Sequence, residues 1–368
     1  MATRYSRSTR RWHPHTRLVR ASVAFGLAVV TTSLAHASID RQWALRYLHA
    51  DEIWQTTRGA GTEVAIIDTG VQPDADLSTN LLHGADFSNT TGANIGDGQT
   101  DVDAYGHGTG EATLIGGSGL RTLGLAPASS ILPVRASDGT SAVLVFGIIP
   151  ALKYAVSHGS RVINLALTLD LDDPDIHRAV EDALDHDVVV VAAVGNDGTS
   201  QQYYPAAWPG VVGVGAIDSS GAVWGQSNSG ADVALVAPGV HILRDDNQGR
   251  VGYSDGTSEA TAYVSAAAAL VRSAHPRWSA GQVVAALEST ADKPAAMRGA
   301  ARDDRYGAGI LDVLAAVRLA EPPAVGGLAG APARGGGGGL GWVWWVVGGG
   351  AAGVCLIFLG AWRWVRRA

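Results

Sequence analysis

The chain has 368 residues, 46% hydrophobic and 17% charged, and its formal net charge of −7 reflects 27 Lys and Arg against 34 Asp and Glu. Residues 1–37 carry six Arg and residues 340–368 three, both without an acid, so residues 38–339 hold 18 basic groups against all 34 acids, or −16. Such a body has no basic surface to meet phosphates, which excludes a nucleic-acid binder; the apolar content excludes a disordered chain, and the lone Cys355 excludes an internal disulfide or a thiolate zinc cluster.

Residues 1–37 are predicted to be a secretory signal peptide. A basic stretch through Arg20 precedes the apolar run 21–34 (ASVAFGLAVVTTSL), and Ala35 and Ala37 place small residues at the two positions a signal peptidase reads. An uncleaved anchor is the alternative, although a run of 14 residues is short for a span of about 20.

Residues 38–320 are predicted to form the folded domain. Short β-branched or apolar runs at 63–67 (EVAII), 131–135, 162–167, 188–194 and 211–217 alternate with helix-like stretches at 108–117, 142–158 and 175–186. Helices at 258–274 and 279–290 follow, the second with Ser279 as N-cap. Near-continuous apolar strands separated by helices predict an α/β fold with a mostly parallel central sheet covered on both faces. Functional groups in such a sheet gather beyond the carboxyl ends of the strands.

Four glycine-flanked motifs stand at those places: Asp68-Thr69-Gly70, Gly106-His107-Gly108-Thr109, Gly195-Asn196-Asp197-Gly198 and Gly256-Thr257-Ser258. Each has an ordinary structural reading by itself, as a turn or a helix cap. Together they supply what acyl transfer needs: a nucleophilic hydroxyl, a base to take its proton, a carboxylate to orient the base, and an amide donor for an oxyanion. Two acidic loops, Asp97, Asp101 and Asp103, and Asp170, Asp172, Asp173 and Asp175, offer hard oxygen ligands that could hold calcium. Neither spacing fits an EF-hand loop, and the other reading is a solvated acidic loop with Pro174 starting a helix.

Residues 321–339, rich in Pro and Gly, read as a flexible linker. Residues 340–362 hold no charge and are long enough for a transmembrane helix, with Trp342, Trp344 and Trp345 at one interface and Trp362 and Trp364 at the other. Arg363, Arg366 and Arg367 then make 363–368 a cytoplasmic basic tail and leave the acidic body outside the membrane.

With Ile66-Ile67-Asp68-Thr69-Gly70, His107-Gly108-Thr109, Gly124-Leu125-Ala126-Pro127, Gly195-Asn196-Asp197-Gly198 and Gly256-Thr257-Ser258 in that order, the chain resembles the subtilisin-like serine proteases across nearly all of residues 43–320. Asp, then His, then Ser is the chain order of that family's triad. Within it the chain looks most like the mycosins, membrane-anchored proteases of actinobacterial type VII secretion. The lead-in 43–59 (WALRYLHADEIWQTTRG), the linker and the single C-terminal span carry that likeness, and the close approach of Trp43 to Ala37 leaves no room for a folding prodomain.

The resemblance implies a subtilisin-like three-layer fold and peptide-bond hydrolysis with Ser258 as nucleophile, His107 as general base and acid, Asp68 as its orienting carboxylate and Asn196 in the oxyanion hole. Protein or peptide substrates would lie between Ala166, Leu167 and Thr168 on one side and Ala193, Val194 and Gly195 on the other, with no cofactor beyond the calcium considered above. Partners would be the membrane and components of type VII secretion.

Several positions depart from the family pattern. Ala166-Leu167-Thr168 stands where Ser-Leu-Gly is usual, so a side chain could narrow the primary specificity pocket in favour of small residues. Ala262 and Ala266 replace a usual proline and glycine. Glu259 beside the nucleophile and Glu111, four residues after His107, add negative charge near the site, and that of Glu111 would favour the histidine cation. A weakly active or inactive scaffold of a secretion complex, retaining the fold, is the alternative function.

Overall fold

The apolar run after Thr62 forms β1 (Glu63–Asp68), and every residue from Val64 to Asp68 is buried. That burial follows from its place at the middle of the sheet, between β3 (Ser130–Arg135) and β4 (Val162–Leu165). The computed structural model describes residues 41–138 and 141–325. The predicted signal peptide, linker residues 326–339, transmembrane helix and basic tail lie outside them, and among the described residues no helix is long and apolar enough to cross a membrane.

Seven strands make the sheet in the order β2-β3-β1-β4-β5-β6-β7, where β2 is Ala85–Asp86, β5 Val189–Ala193, β6 Val212–Ile217 and β7 Leu235–Pro238. Each neighbouring pair is parallel. Alternation along a strand sends side chains to opposite faces, so Val64 and Ile66 enter one apolar cluster and Ala65 and Ile67 the other.

Helices cover both faces, giving the three layers expected. The short α1 (Trp43–Tyr47) and α2 (Ala50–Ile53), α3 (His107–Gly116), α6 (Thr257–Ala274), α7 (Ala280–Thr290) and α8 (Val313–Arg318) contribute to the first cluster. On the opposite face lie α4 (Ser141–His158) and α5 (Pro174–Asp185). The central helix is α6, which packs on β4, β5, β6 and β7. Its run from Ala260 to Val271 is buried throughout, and the alanines within it let the helix axis approach the sheet closely.

Local chemistry fixes the helix ends. Ser279 and Gln282 form a reciprocal capping box at α7, and the Asp173 side chain accepts from Asp175 N–H and Ile176 N–H ahead of Pro174 in α5. Each such cap contributes about 1 kcal/mol. An antiparallel hairpin, β8 (Ile242–Asp245) and β9 (Val251–Ser254), lies outside the main sheet and leads into α6. The lead-in and the residue before it are anchored to the domain: Gln42 exchanges two 2.9 Å hydrogen bonds with the Leu123 backbone, and Trp54 Nε1 donates to the Leu125 carbonyl at 2.9 Å.

Candidate active site

The predicted site residues start from four separate elements. Asp68 is the last residue of β1, His107 the first of α3, Ser258 the second of α6, and Asn196 follows β5. The parallel sheet brings their ends together at its carboxyl edge.

His107 Nδ1 lies 2.9 Å from both carboxylate oxygens of Asp68. Asp68 is only 4% exposed, and Thr69 N–H donates to its Oδ1 at 2.7 Å. The helix can begin this close to the strand because residue 108 is glycine: a Cβ there would stand 2.1 Å from the Gly70 carbonyl oxygen and 3.1 Å from the Asp68 side chain. Asp103 Oδ1 accepts from His107 N–H at 3.2 Å and steadies the helix start.

Ser258 sits in the first turn of α6, where unpaired backbone N–H groups favour negative charge. Its Oγ donates to the Ala166 carbonyl at 3.2 Å, so the hydroxyl is turned toward the end of β4 and not toward His107. Asn196 Oδ1 accepts from the backbone N–H and the hydroxyl of Thr257, both at 2.9 Å. Because a backbone N–H can only donate, these contacts identify the amide oxygen and leave Nδ2 as the outward donor. A Cβ at Gly256 would make only ordinary contact with Asn196 Nδ2, at 3.5 Å, but would stand 2.7 Å from Glu259 Oε2.

The predicted peptide-binding residues divide by exposure. Ala166 is buried, Leu167 half-buried and Thr168 exposed; the ladder of β4 already ends at Leu165, and Ala166 offers its carbonyl to Ser258. Ala193, Val194 and Gly195 are buried, and Val194 N–H donates to the Val214 carbonyl at 3.2 Å.

Charge is concentrated behind His107. Burial alone would push its imidazole down, but the Asp68 charge and hydrogen bond, with Glu111 and Glu259 adding, hold it above the ordinary value. Glu111 is fully buried and neither carboxyl oxygen has a hydrogen-bond partner. Burial pushes that carboxyl up to about 8. Glu259 is also buried, with Arg244 Nε 3.4 Å from its Oε1.

Most of the acidic side chains considered for calcium have protein partners instead. Asp101 accepts from Thr109 N–H at 2.8 Å and from the Thr109 and Thr69 hydroxyls at 2.6 and 2.9 Å, tying the Asp68 turn to α3. Asp97 accepts from Gln99 N–H, Asp172 from Trp208 Nε1, and Asp175 pairs with Arg178. Among the described residues three carboxylates do converge elsewhere, Asp74, Asp76 and Asp245, and the Arg121 guanidinium bridges them as their counter-charge.

Sequence reasoning named Thr257 only as a motif member and missed Asp101 and Arg244 as site residues. Thr257 sits in the motif beside Ser258, and that position was the available signal. Arg244 lies on a four-residue strand with no motif around it, and no sequence signal marks it.

The subtilase family (peptidase S8) matches residues 59–309. The thermophilic serine proteinase of Bacillus sp. (strain AK1) is 35% identical over 257 residues, which cover 68% of this chain and 62% of that protein; the chain thus spans about three fifths of that curated relative's length. Among solved structures, MycP1 from Mycobacterium smegmatis superposes with a TM-score of 0.69 at 27% identity, covering 81% of this chain and 89% of that one. MycP3 protease from the type VII (ESX-3) secretion system gives a TM-score of 0.64 at 32% identity, covering 75% and 87%. On the family match and these likenesses, the chain belongs to the subtilase family.

Proposed function

We propose that this chain is a membrane-tethered, extracytoplasmic serine endopeptidase in which Asp68, His107 and Ser258 form the triad. The observation that carries the reading is the Asp68 to His107 contact at 2.9 Å, in one site with an Asn196 amide that is locked by Thr257, the neighbour of Ser258. To react, Ser258 Oγ exchanges the Ala166 carbonyl for the imidazole; such contacts often tighten only when substrate binds. Ser258 Oγ then attacks the peptide carbonyl carbon while His107 takes its proton. The tetrahedral oxyanion receives hydrogen bonds from Asn196 Nδ2 and the Ser258 backbone N–H. Collapse expels the amine, which His107 protonates, and leaves an acyl-Ser258 ester that water hydrolyses by the same steps in reverse.

The localisation rests on the sequence: the segment 1–37 for export, 340–362 for a single span and the Arg tail for a cytoplasmic C-terminus. Likeness to MycP1 and MycP3 supports a place beside type VII secretion. The test is a fluorophosphonate probe. Labelling of wild type and its loss in Ser258→Ala is expected, whereas folded, exported wild type that stays unlabelled overturns the enzyme. That outcome would favour the scaffold reading, which draws on the Ser258 hydroxyl being directed at Ala166.

A further inference from the structure

The residue after the nucleophile is Glu259, whose side chain is 3% exposed. A Cβ at Gly256 would stand 2.7 Å from Glu259 Oε2 and 3.5 Å from Asn196 Nδ2, so this carboxylate and the oxyanion donor flank the same stretch of backbone. A lone negative charge there opposes the charge that develops on a tetrahedral oxyanion, in a place too dry to screen it. Glu111 adds a second buried carboxyl from α3. His107 and Glu111 from α3, Asp68 from β1, Tyr263 and Glu259 from α6 and Arg244 from β8 are the ionisable groups that act on one another here.

Arg244 brings the guanidinium of the group. Its Nε lies 3.4 Å from Glu259 Oε1, and its side chain is 11% exposed. From the same guanidinium, Nη1 donates to the Gly106 carbonyl at 3.0 Å, directly before His107. The first turn of α3 admits it because residue 110 is glycine: a Cβ there would be 2.1 Å from Nη1 and 2.6 Å from Cδ. One half-buried cation therefore touches both the residue after the nucleophile and the residue before the base.

We propose that Arg244 is a positioning residue of the hydrolytic reaction, one that cancels the Glu259 charge beside the oxyanion site and holds the Gly106 carbonyl leading into His107. The proposal rests on Ser258 being the nucleophile. A purely structural pin would make the same backbone bonds but would gain nothing from removal of the Glu259 charge.

That difference sets the experiment, done on the full chain with a fluorophosphonate as probe and the second-order labelling rate as readout. Arg244→Gln is expected to slow labelling about 10- to 100-fold. Glu259→Gln alone is expected to speed it, since the guanidinium then faces the oxyanion unopposed. The double variant is expected to return to within about threefold of wild type, because both charges are gone together. Arg244→Lys, which keeps the charge without the planar fork, is the companion should Arg244→Gln fold poorly by circular dichroism; retention of most of the rate supports the charge role. A double variant as slow as Arg244→Gln, or Arg244→Lys as slow as the most damaged variant, overturns it. Folded wild type that the probe does not label instead overturns the reading beneath it, so the two failures are distinguishable.

Discussion

Four residues along α3 from His107, Glu111 keeps a carboxyl group with neither oxygen hydrogen-bonded. Burial is the main cause of its rise to about 8, with Glu259 and Asp68 adding and His107 and Arg244 opposing. An acid whose folded value is raised stabilises the fold fully below its ordinary 4.5 and loses that contribution as pH climbs to about 8. Glu111→Gln is neutral at every pH and escapes this loss. In a Ser258→Ala background, which prevents self-digestion, the melting temperature of Glu111→Gln relative to its parent should therefore rise steadily from pH 4.5 to 8 and then level off. A difference that stays constant over that range would show that Glu111 does not carry the proton. The sequence spacing already set Glu111 on the His107 face of the helix and indicated which way it moves the imidazole, as the structure bears out. Its complete burial was not legible, because a carboxyl in an apolar interior contradicts every compositional expectation.

The start of α6 works as one unit with the end of β5. The Thr257 hydroxyl donates to Asn196 Oδ1 at 2.9 Å and accepts Gly195 N–H at 3.3 Å, so a fully buried side chain aligns the amide with the nucleophile's helix. Thr257→Val keeps the shape and removes both bonds. Labelling by the fluorophosphonate should fall about tenfold while the melting temperature drops by only a few degrees; a rate within twofold of wild type would mean the Thr257 N–H alone suffices to hold Asn196. The elements legible in advance were the long ones. Runs such as 188–194 and 211–217 are buried on both faces and so read as continuous apolar strands, and the observed β5 and β6 fall inside them. The four-residue β7, β8 and β9 and the six-residue α8 are too short for any period to emerge, and β8 carries Arg244. Residues 166 and 167 read as strand but leave the ladder, because the Ala166 carbonyl turns to Ser258. An extended apolar stretch looks alike in sequence whether its partner is a strand or a hydroxyl.

At the scale of the whole chain, the described fold lies within the acidic body. All the groups proposed for catalysis lie between residues 68 and 258, within the acidic body, while the nine Arg of the two ends flank apolar segments. Basic ends beside apolar runs are what export and anchoring machinery read, and a net charge of −16 on residues 38–339 keeps the body soluble whichever side it occupies. The topology is therefore tested by separating these parts. A chain stopped after Val325 keeps every described element and lacks residues 340–362. Expressed in its own cell type, it should appear in the medium, labelled by the fluorophosphonate and beginning at Ser38. The full chain should stay in the alkaline-carbonate pellet, with the domain open to external protease and a C-terminal tag shielded. Labelled full-length protein that washes off with carbonate would remove the span, and a truncated chain retained in the cytoplasm would remove the export signal, each without touching the site.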